Sequence, residues 1–166
     1  MYFGEAQTHL DNKGRMTLPR RFRDIMHVLG HEMWLMTRGF DNCVFLFHRD
    51  AWNSIRDQVS KYSAMNAKAV DFRRLFFGSV AEGRPDRQGR MALPTHLREY
   101  AGLTEDANEA VVVGVDDHLE LWSLRAWRAF KDRNDAAYKE MAAQLFVGDL
   151  GLDTVGEEKG KECHDN

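Results

Sequence analysis

Cysteine is scarce in this chain: Cys43 and Cys163 are the two in 166 residues. Cys43 lies in an apolar, strand-like run and Cys163 in a polar tail, so neither a disulfide framework nor a cysteine-built zinc site is expected. Apolar runs long enough to span a bilayer are missing. The opening Met1-Tyr-Phe-Gly-Glu5 lacks a basic stretch followed by an apolar one, so no secretory signal is expected either, and a soluble, cytoplasmic protein is the reading. Groupings that carry catalysis are also missing: no Ser/His/Asp or Cys/His arrangement stands out, and Asp116-Asp117 reads as a hairpin turn rather than a pair of catalytic carboxylates. Gly-Arg-Met after a turn has too few glycines for a phosphate loop. His27 and His31 are four apart, a spacing that can hold a metal on a helix, but Gly30 between them ends that helix. No metal, no cofactor, no small-molecule substrate and no enzymatic activity are therefore expected.

Strong net charge is absent too, at −3 overall, but the distribution is uneven. From Asp149 to Asn166 six acids face two lysines, a net −4, which leaves +1 for residues 1–148. Within that near-neutral body, His9 to Arg23 carries +4 through Lys13, Arg15, Arg20, Arg21 and Arg23 against Asp11. Arg84, Arg87, Arg90 and Arg98 against Asp86 give +3 in a second stretch. Two basic patches on a near-neutral body suit a protein whose single subunits bind nucleic acid weakly and whose assembly binds well.

What the chain does contain, it contains twice. Asp11-Asn-Lys-Gly-Arg-Met-Thr-Leu-Pro-Arg-Arg-Phe-Arg23 returns as Asp86-Arg-Gln-Gly-Arg-Met-Ala-Leu-Pro-Thr-His-Leu-Arg98, with seven identities in thirteen positions at a shift of 75. Gly39-Phe-Asp41 returns as Gly114-Val-Asp116, and Ala51-Trp52 as Ala126-Trp127. A unit was duplicated and fused. Each copy predicts the same order: a strand (Phe3 to Leu10; Gly78 to Pro85), a tight Asp-x-x-Gly turn, and a second strand (Arg15 to Leu18; Arg90 to Leu93). In the turns Gly14 and Gly89 take a left-handed backbone without steric cost, and Asp11 and Asp86 bond to the turn amides. Pro19 and Pro94 then open a helix, with Phe22, Ile25, Met26 and Leu29 on one apolar face and Leu97, Tyr100 and Ala101 on its counterpart.

A hairpin follows in each copy, Met33 to Arg38 with Cys43 to His48, and Ala110 to Val113 with His118 to Ser123, turning at 39–42 and 114–117. A helix closes each half. The expected organisation is a first repeat over 5–52, a helical linker over 53–77, a second repeat over 78–127, a C-terminal helix over 128–148 and an acidic, disordered tail over 149–166. A single such unit is marginal alone, whereas two can interleave their strands. The fold class expected is α+β: one pseudo-twofold, closed β-barrel with flanking helices. Phe76, Phe77, Trp122, Trp127 and Phe130 are expected mostly in the core.

The repeated element presents arginine. Arg15 and Arg90 follow a turn glycine, where a guanidinium can fork onto guanine or clamp a phosphate. The alternative is a structural arginine paired with Asp11 or Asp86, and the residues alone leave both open. Arg23 and Arg98 are expected to brace the turns through carboxylates, and Arg20 and Arg21 to face solvent.

Together Phe3-Gly-Glu5, Leu10-Asp-Asn-Lys-Gly-Arg15 with Pro19 and Phe22-Arg23, Thr37 through Phe47, and Asp86 through Leu103 resemble the MraZ family of bacterial transcriptional regulators, over nearly everything from Tyr2 to Gly148. The resemblance implies two fused SpoVT/AbrB-like swapped-hairpin repeats in a double-psi-like barrel, assembled into a homo-oligomeric ring of many subunits. It implies a nucleoid-associated regulator, usually a repressor, that binds tandem short repeats in the promoter of the division and cell-wall gene cluster carrying its own gene. By position it places DNA binding on Lys13 and Arg15 in the first half and on Arg87 and Arg90 in the second, with Gln88 standing where the first half has Lys13. Lys13 and Arg87 would then touch phosphate, which positions without specifying sequence. The acidic tail matches no family pattern. An antitoxin-like protein-interaction module is the rival reading, since such proteins often share the swapped-hairpin unit and carry partner-binding tails.

Overall fold

The computed structural model describes residues 1–62 and 65–146, so the acidic tail lies outside the described residues. Two units separate, Met1–Arg128 and Ala129–Asn166. The first unit opens with β1 (Tyr2–His9), β2 (Arg15–Thr17), α1 (Arg20–Val28) and the hairpin β3 (Trp34–Arg38) and β4 (Val44–Phe47). Helices α2 (Arg49–Ser60) and α3 (Ala67–Gly78) lead to the second copy: β5 (Ala81–Gly83), β6 (Arg90–Ala92), α4 (Thr95–Tyr100), β7 (Glu109–Asp116), β8 (His118–Ser123) and α5 (Leu124–Asn134). Pro19 and Pro94 stand at the caps of α1 and α4, where their fixed φ of −56° and −55° and missing amide cost nothing. Helix α1 buries Phe22 and Met26 and stops at Gly30, whose φ of +69° lets the His31 amide return to the Met26 carbonyl at 2.9 Å.

Six strands form one antiparallel sheet in the order β1-β7-β8-β4-β3-β5, and β2 pairs with β6 in a separate two-stranded ribbon. That order reads the same when the two repeats are exchanged. The first strand of each repeat is donated to the other: β1 pairs with β7 from Tyr2↔Asp116 to His9↔Glu109, and β5 pairs with β3 from Trp34↔Gly83 to Met36↔Ala81. In the ribbon Met16 faces Met91, and at the centre of the sheet Phe45 faces Glu120. Both pairs are repeat counterparts, so a pseudo-twofold axis passes through both.

The interleaving expected of the duplication is present, but the closed barrel is not. Among the described residues β1 and β5 are the two edges of an open sheet, because β2 and β6 satisfy each other rather than bridging those edges. The architecture is α+β with an antiparallel sheet. Strand β7 also runs further than its sequence suggests, through Gly114–Asp116, because β1 supplies pairing partners that far. The turn is compressed onto Asp116, at φ +64°, and Asp117.

Met16, Leu18, Phe22, Met36, Val44, Leu46, Met91, Leu97, Val112, Leu119 and Leu121 make the core beneath the pseudo-twofold axis. Strand β4 is buried at every residue. Its second face packs into an aromatic cluster in which Trp52 stacks on Phe76 at 5.6 Å and 9°, with Phe47 against both. The Thr37 hydroxyl donates to the Phe76 carbonyl at the end of α3. Phe76 and Trp122 are buried, and Phe77, Trp127 and Phe130 are half-buried.

In the second unit, the helix expected over 128–148 is broken. The end of α5 gives way to a 3-10 turn at Asp135–Ala137, and α6 follows at Tyr138–Leu145. Asn134 donates its side-chain amide to the Phe130 carbonyl at 2.7 Å, the local competition with backbone pairing that makes asparagine a poor interior helix residue. Among the described residues no helix is long and apolar enough to cross a membrane.

Candidate nucleic-acid interface

The two Asp-x-x-Gly turns match almost bond for bond. In the first, Asp11 Oδ1 accepts the amides of Lys13 and Arg15, each at 2.9 Å, and the Gly14 amide donates to the Asp11 carbonyl at 2.9 Å. In the second, Asp86 Oδ1 accepts the amides of Gln88 and Arg90, each at 2.9 Å, and the Gly89 amide donates to the Asp86 carbonyl at 2.8 Å. Gly14 and Gly89 sit at φ +70° and +80°, the left-handed region the pattern required. Asp11 and Gly14 close the first turn, and Asp86 and Gly89 the second.

Each turn is also locked by the opposite repeat. The Leu18 amide donates to the Gly89 carbonyl at 2.8 Å, and the Leu93 amide to the Gly14 carbonyl at 3.0 Å. Arg98 lies over Gly14 so closely that an added Cβ would be 2.5 Å from its Cζ, and Arg23 covers Gly89 in the same way, 2.5 Å from its Cδ. Neither arginine makes an ion pair among the described residues; Arg98 Nη2 donates to the Thr95 hydroxyl at 3.0 Å. They brace the turns as expected in place but not in chemistry: by packing on the other repeat's glycine, not through carboxylates. The shared 75-residue shift marks them as counterparts, but only the strand exchange reveals the crossing. Arg21, expected in solvent, is exposed yet tied down, its guanidinium donating to the Phe3 and Glu5 carbonyls at 3.0 and 3.3 Å.

The ribbon sets the direction of the chemistry. Met16 and Met91 point inward and are buried, so their neighbours Arg15, Thr17, Arg90 and Ala92 form the outward face. Arg15 lies opposite Ala92, which puts Arg90 at the diagonal position, on the order of 7–8 Å away. Arg15 Nε donates to Asp11 Oδ2 at 2.8 Å and Arg90 Nε to Asp86 Oδ2 at 2.9 Å, with the two arginine side chains one-third or more exposed. In each case the carboxylate holds the Nε edge, and the two Nη groups make no hydrogen bond among the described residues. The pairing with aspartate that competed with nucleic-acid contact in the sequence reading thus leaves the outer edge of the fork unused. Accepting the Arg15 amide, with the guanidinium bond and the Lys13 amide behind it, pulls the Asp11 carboxyl down to about 2 against a smaller burial effect. Asp86 is lowered for the same reasons, its Arg90 amide first. Both stay ionised across the physiological range. Lys13 and Arg87 are exposed near the turn tips, and they are not repeat counterparts, Lys13 matching Gln88 and Arg87 matching Asn12. Thr17, opposite Arg90 on the same face, was not singled out by sequence; strand alternation is the signal that finds it.

A duplicated, strand-exchanged body that offers paired, carboxylate-held arginines on a β-ribbon defines a class of double-repeat scaffold. The sequence model described as "MraZ protein, putative antitoxin-like" matches twice, over residues 1–75 and 76–147. Relatives named Transcriptional regulator MraZ include one from Carboxydothermus hydrogenoformans, 40% identical over 145 residues (87% of this chain and 96% of that protein). Another, from Syntrophomonas wolfei subsp. wolfei, is 38% identical over 152 residues (92% of this chain and 100% of that protein). The chain belongs to the MraZ family.

Proposed function

We propose that this chain is a sequence-specific, DNA-binding transcriptional regulator and not an enzyme, with Arg15 and Arg90 reading bases and Lys13 and Arg87 contacting phosphate. The observation that carries this is the repeated guanidinium, fixed through Nε by its own turn aspartate and left with its Nη fork facing outward. An arginine fork fits guanine O6 and N7, and a pre-fixed fork loses little side-chain entropy on binding. A two-stranded ribbon fits the major groove, and two arginines some 7–8 Å apart would meet bases about two steps along it. The family names of the relatives support the regulatory role.

The finer reading rests on the resemblance. Several copies form a ring and bind tandem short repeats at the promoter of the division and cell-wall cluster that includes this gene, mostly to repress it, which places the protein at the nucleoid. A ring multiplies weak contacts by avidity, consistent with two basic patches on a near-neutral body. The test is fluorescence anisotropy on DNA from upstream of the gene's own cluster, with a scrambled duplex as control, comparing the wild type with Arg15→Ala. The proposal expects tight, salt-sensitive wild-type binding to the upstream DNA and a loss of about 1–3 kcal/mol per engaged site in the variant. Equal, weak binding of both duplexes by both proteins would overturn it and turn the search to protein partners.

A further inference from the structure

His31, just past the end of α1, and His48, between β4 and α2, are 17 residues apart in sequence, a spacing that suggests nothing. The fold stacks their imidazoles at 4.0 Å and 13°. Asp50, in the first turn of α2, completes a group in which one donor atom from each of the three residues lies within 4.8 Å of the others. All three line one cavity of about 320 Å³, which has room for an ion and several waters. We propose that His31, His48 and Asp50 form a binding site for a divalent transition-metal ion of the zinc, cobalt and nickel kind, held by two imidazole nitrogens and one carboxylate oxygen and completed by water.

The donor set selects the class of ion. Imidazole suits zinc, cobalt and nickel, whereas magnesium and calcium favour all-oxygen shells. Tetrahedral binding at roughly 2.0–2.1 Å needs donors about 3.4 Å apart, so the ion draws together groups that now lie within 4.8 Å of one another and tilts the rings out of their parallel stack. Asp50 is exposed and free to swing. The Tyr2 hydroxyl lies 2.7 Å from His31 Nδ1, where it can accept the Nδ1 proton and leave Nε2 for the metal, the outer-shell bond typical of metal-bound histidine. Burial lowers the pKa of both histidines. Arg49 and Arg84 also line the cavity, and the N-terminal amine lies near enough to act on both rings, against the carboxylates of Glu32, 3.6 Å from Arg84, and Asp50. Loading has one local cost. The Ala51 amide now donates to His48 Nδ1 at 3.5 Å, the outer limit of a hydrogen bond, and either ligating tautomer of His48 gives that contact up.

The test is isothermal titration of the full, tag-free chain with zinc chloride, with cobalt(II) absorption as a spectroscopic check. One ion per chain is expected. Asp50→Asn and His31→Gln should each weaken zinc binding at least tenfold and remove the cobalt ligand-field bands, and His27→Gln should leave both unchanged. Zinc should also shift the Ala51 amide resonance. Asp50 lies outside the core, so Asp50→Asn keeps the fold. Wild-type zinc affinity in that variant, or no zinc uptake by the wild type, would overturn the proposal.

Discussion

Replacing Gly14 with alanine measures how tightly the two repeats interlock at their turns. Gly14 and Gly30 share a left-handed backbone, at φ +70° and +69°, so an alanine at either one incurs the same conformational cost of about 1–2 kcal/mol. Their surroundings differ. A Cβ at Gly30 meets nothing within 4 Å, whereas at Gly14 it would lie 2.5 Å from Arg98 Cζ. That guanidinium is the end of a flexible chain, but its Nε is enclosed, so moving it should add about 1 kcal/mol, the low end of the overpacking range. Gly14→Ala should therefore lower Tm about 2–4 °C further than Gly30→Ala for a chain of this size. In an Arg98→Ala background the excess should vanish, a coupling of about 1 kcal/mol between residues of opposite repeats. Thermal melts of the four variants decide it. Equal losses at Gly14 and Gly30, or an excess that survives the removal of Arg98, would refute the crossed packing. Gly89 with Arg23 should behave the same way.

Two further outcomes follow from the geometry. Met16→Ala empties a fully buried site on the pseudo-twofold axis and should cost about 2–5 kcal/mol by urea denaturation, and the Met16→Ala/Met91→Ala double variant should depart from additivity because the two side chains face each other across the ribbon. Burial opposes charge on His118, but Glu120 and Asp117, with Asp117 Oδ1 2.6 Å from Nδ1, outweigh it and raise its pKa. A raised folded-state value stabilises the fold below the unfolded pKa near 6.5, and this gain is lost as pH rises through the folded value. The stability gap between the wild type and His118→Gln should thus be wider at pH 5.5 than at pH 9, and a gap independent of pH would contradict the assignment.

The legible parts of this molecule were local or periodic. Asp-x-x-Gly forecast both turns, alternation and apolar spacing forecast the strands and the faces of α1, and the 75-residue shift forecast the interleaving. Pairing between distant strands was not legible. Nothing near Tyr2 says that it will face Asp116, and without that pairing neither the length of β7 nor the open edges of the sheet can be read. Arg23 and Arg98 show the same boundary, since their place beside a turn was legible and the identity of that turn depended on strand exchange. His31 and His48 carry no spacing signal because a loop and a strand end bring them together. The opposition between a structural and a DNA-reading Arg15 came from treating the side chain as one contact; Asp11 holds its Nε edge, and the Nη edge makes no hydrogen bond among the described residues, so the two readings do not exclude each other.

The most direct test of the central claim keeps the charge and removes the fork. Arg15→Lys/Arg90→Lys should fold as the wild type does, bind scrambled DNA with similar affinity and salt dependence, and lose preference for the upstream duplex by about tenfold or more, since lysine cannot make the two-pronged contact with guanine. The measurement is the ratio of anisotropy-derived affinities for upstream and scrambled duplexes at one near-physiological salt concentration. A double variant that discriminates as well as the wild type would show that these arginines act as charge alone, and the reading of the ribbon as a base-reading surface would fail.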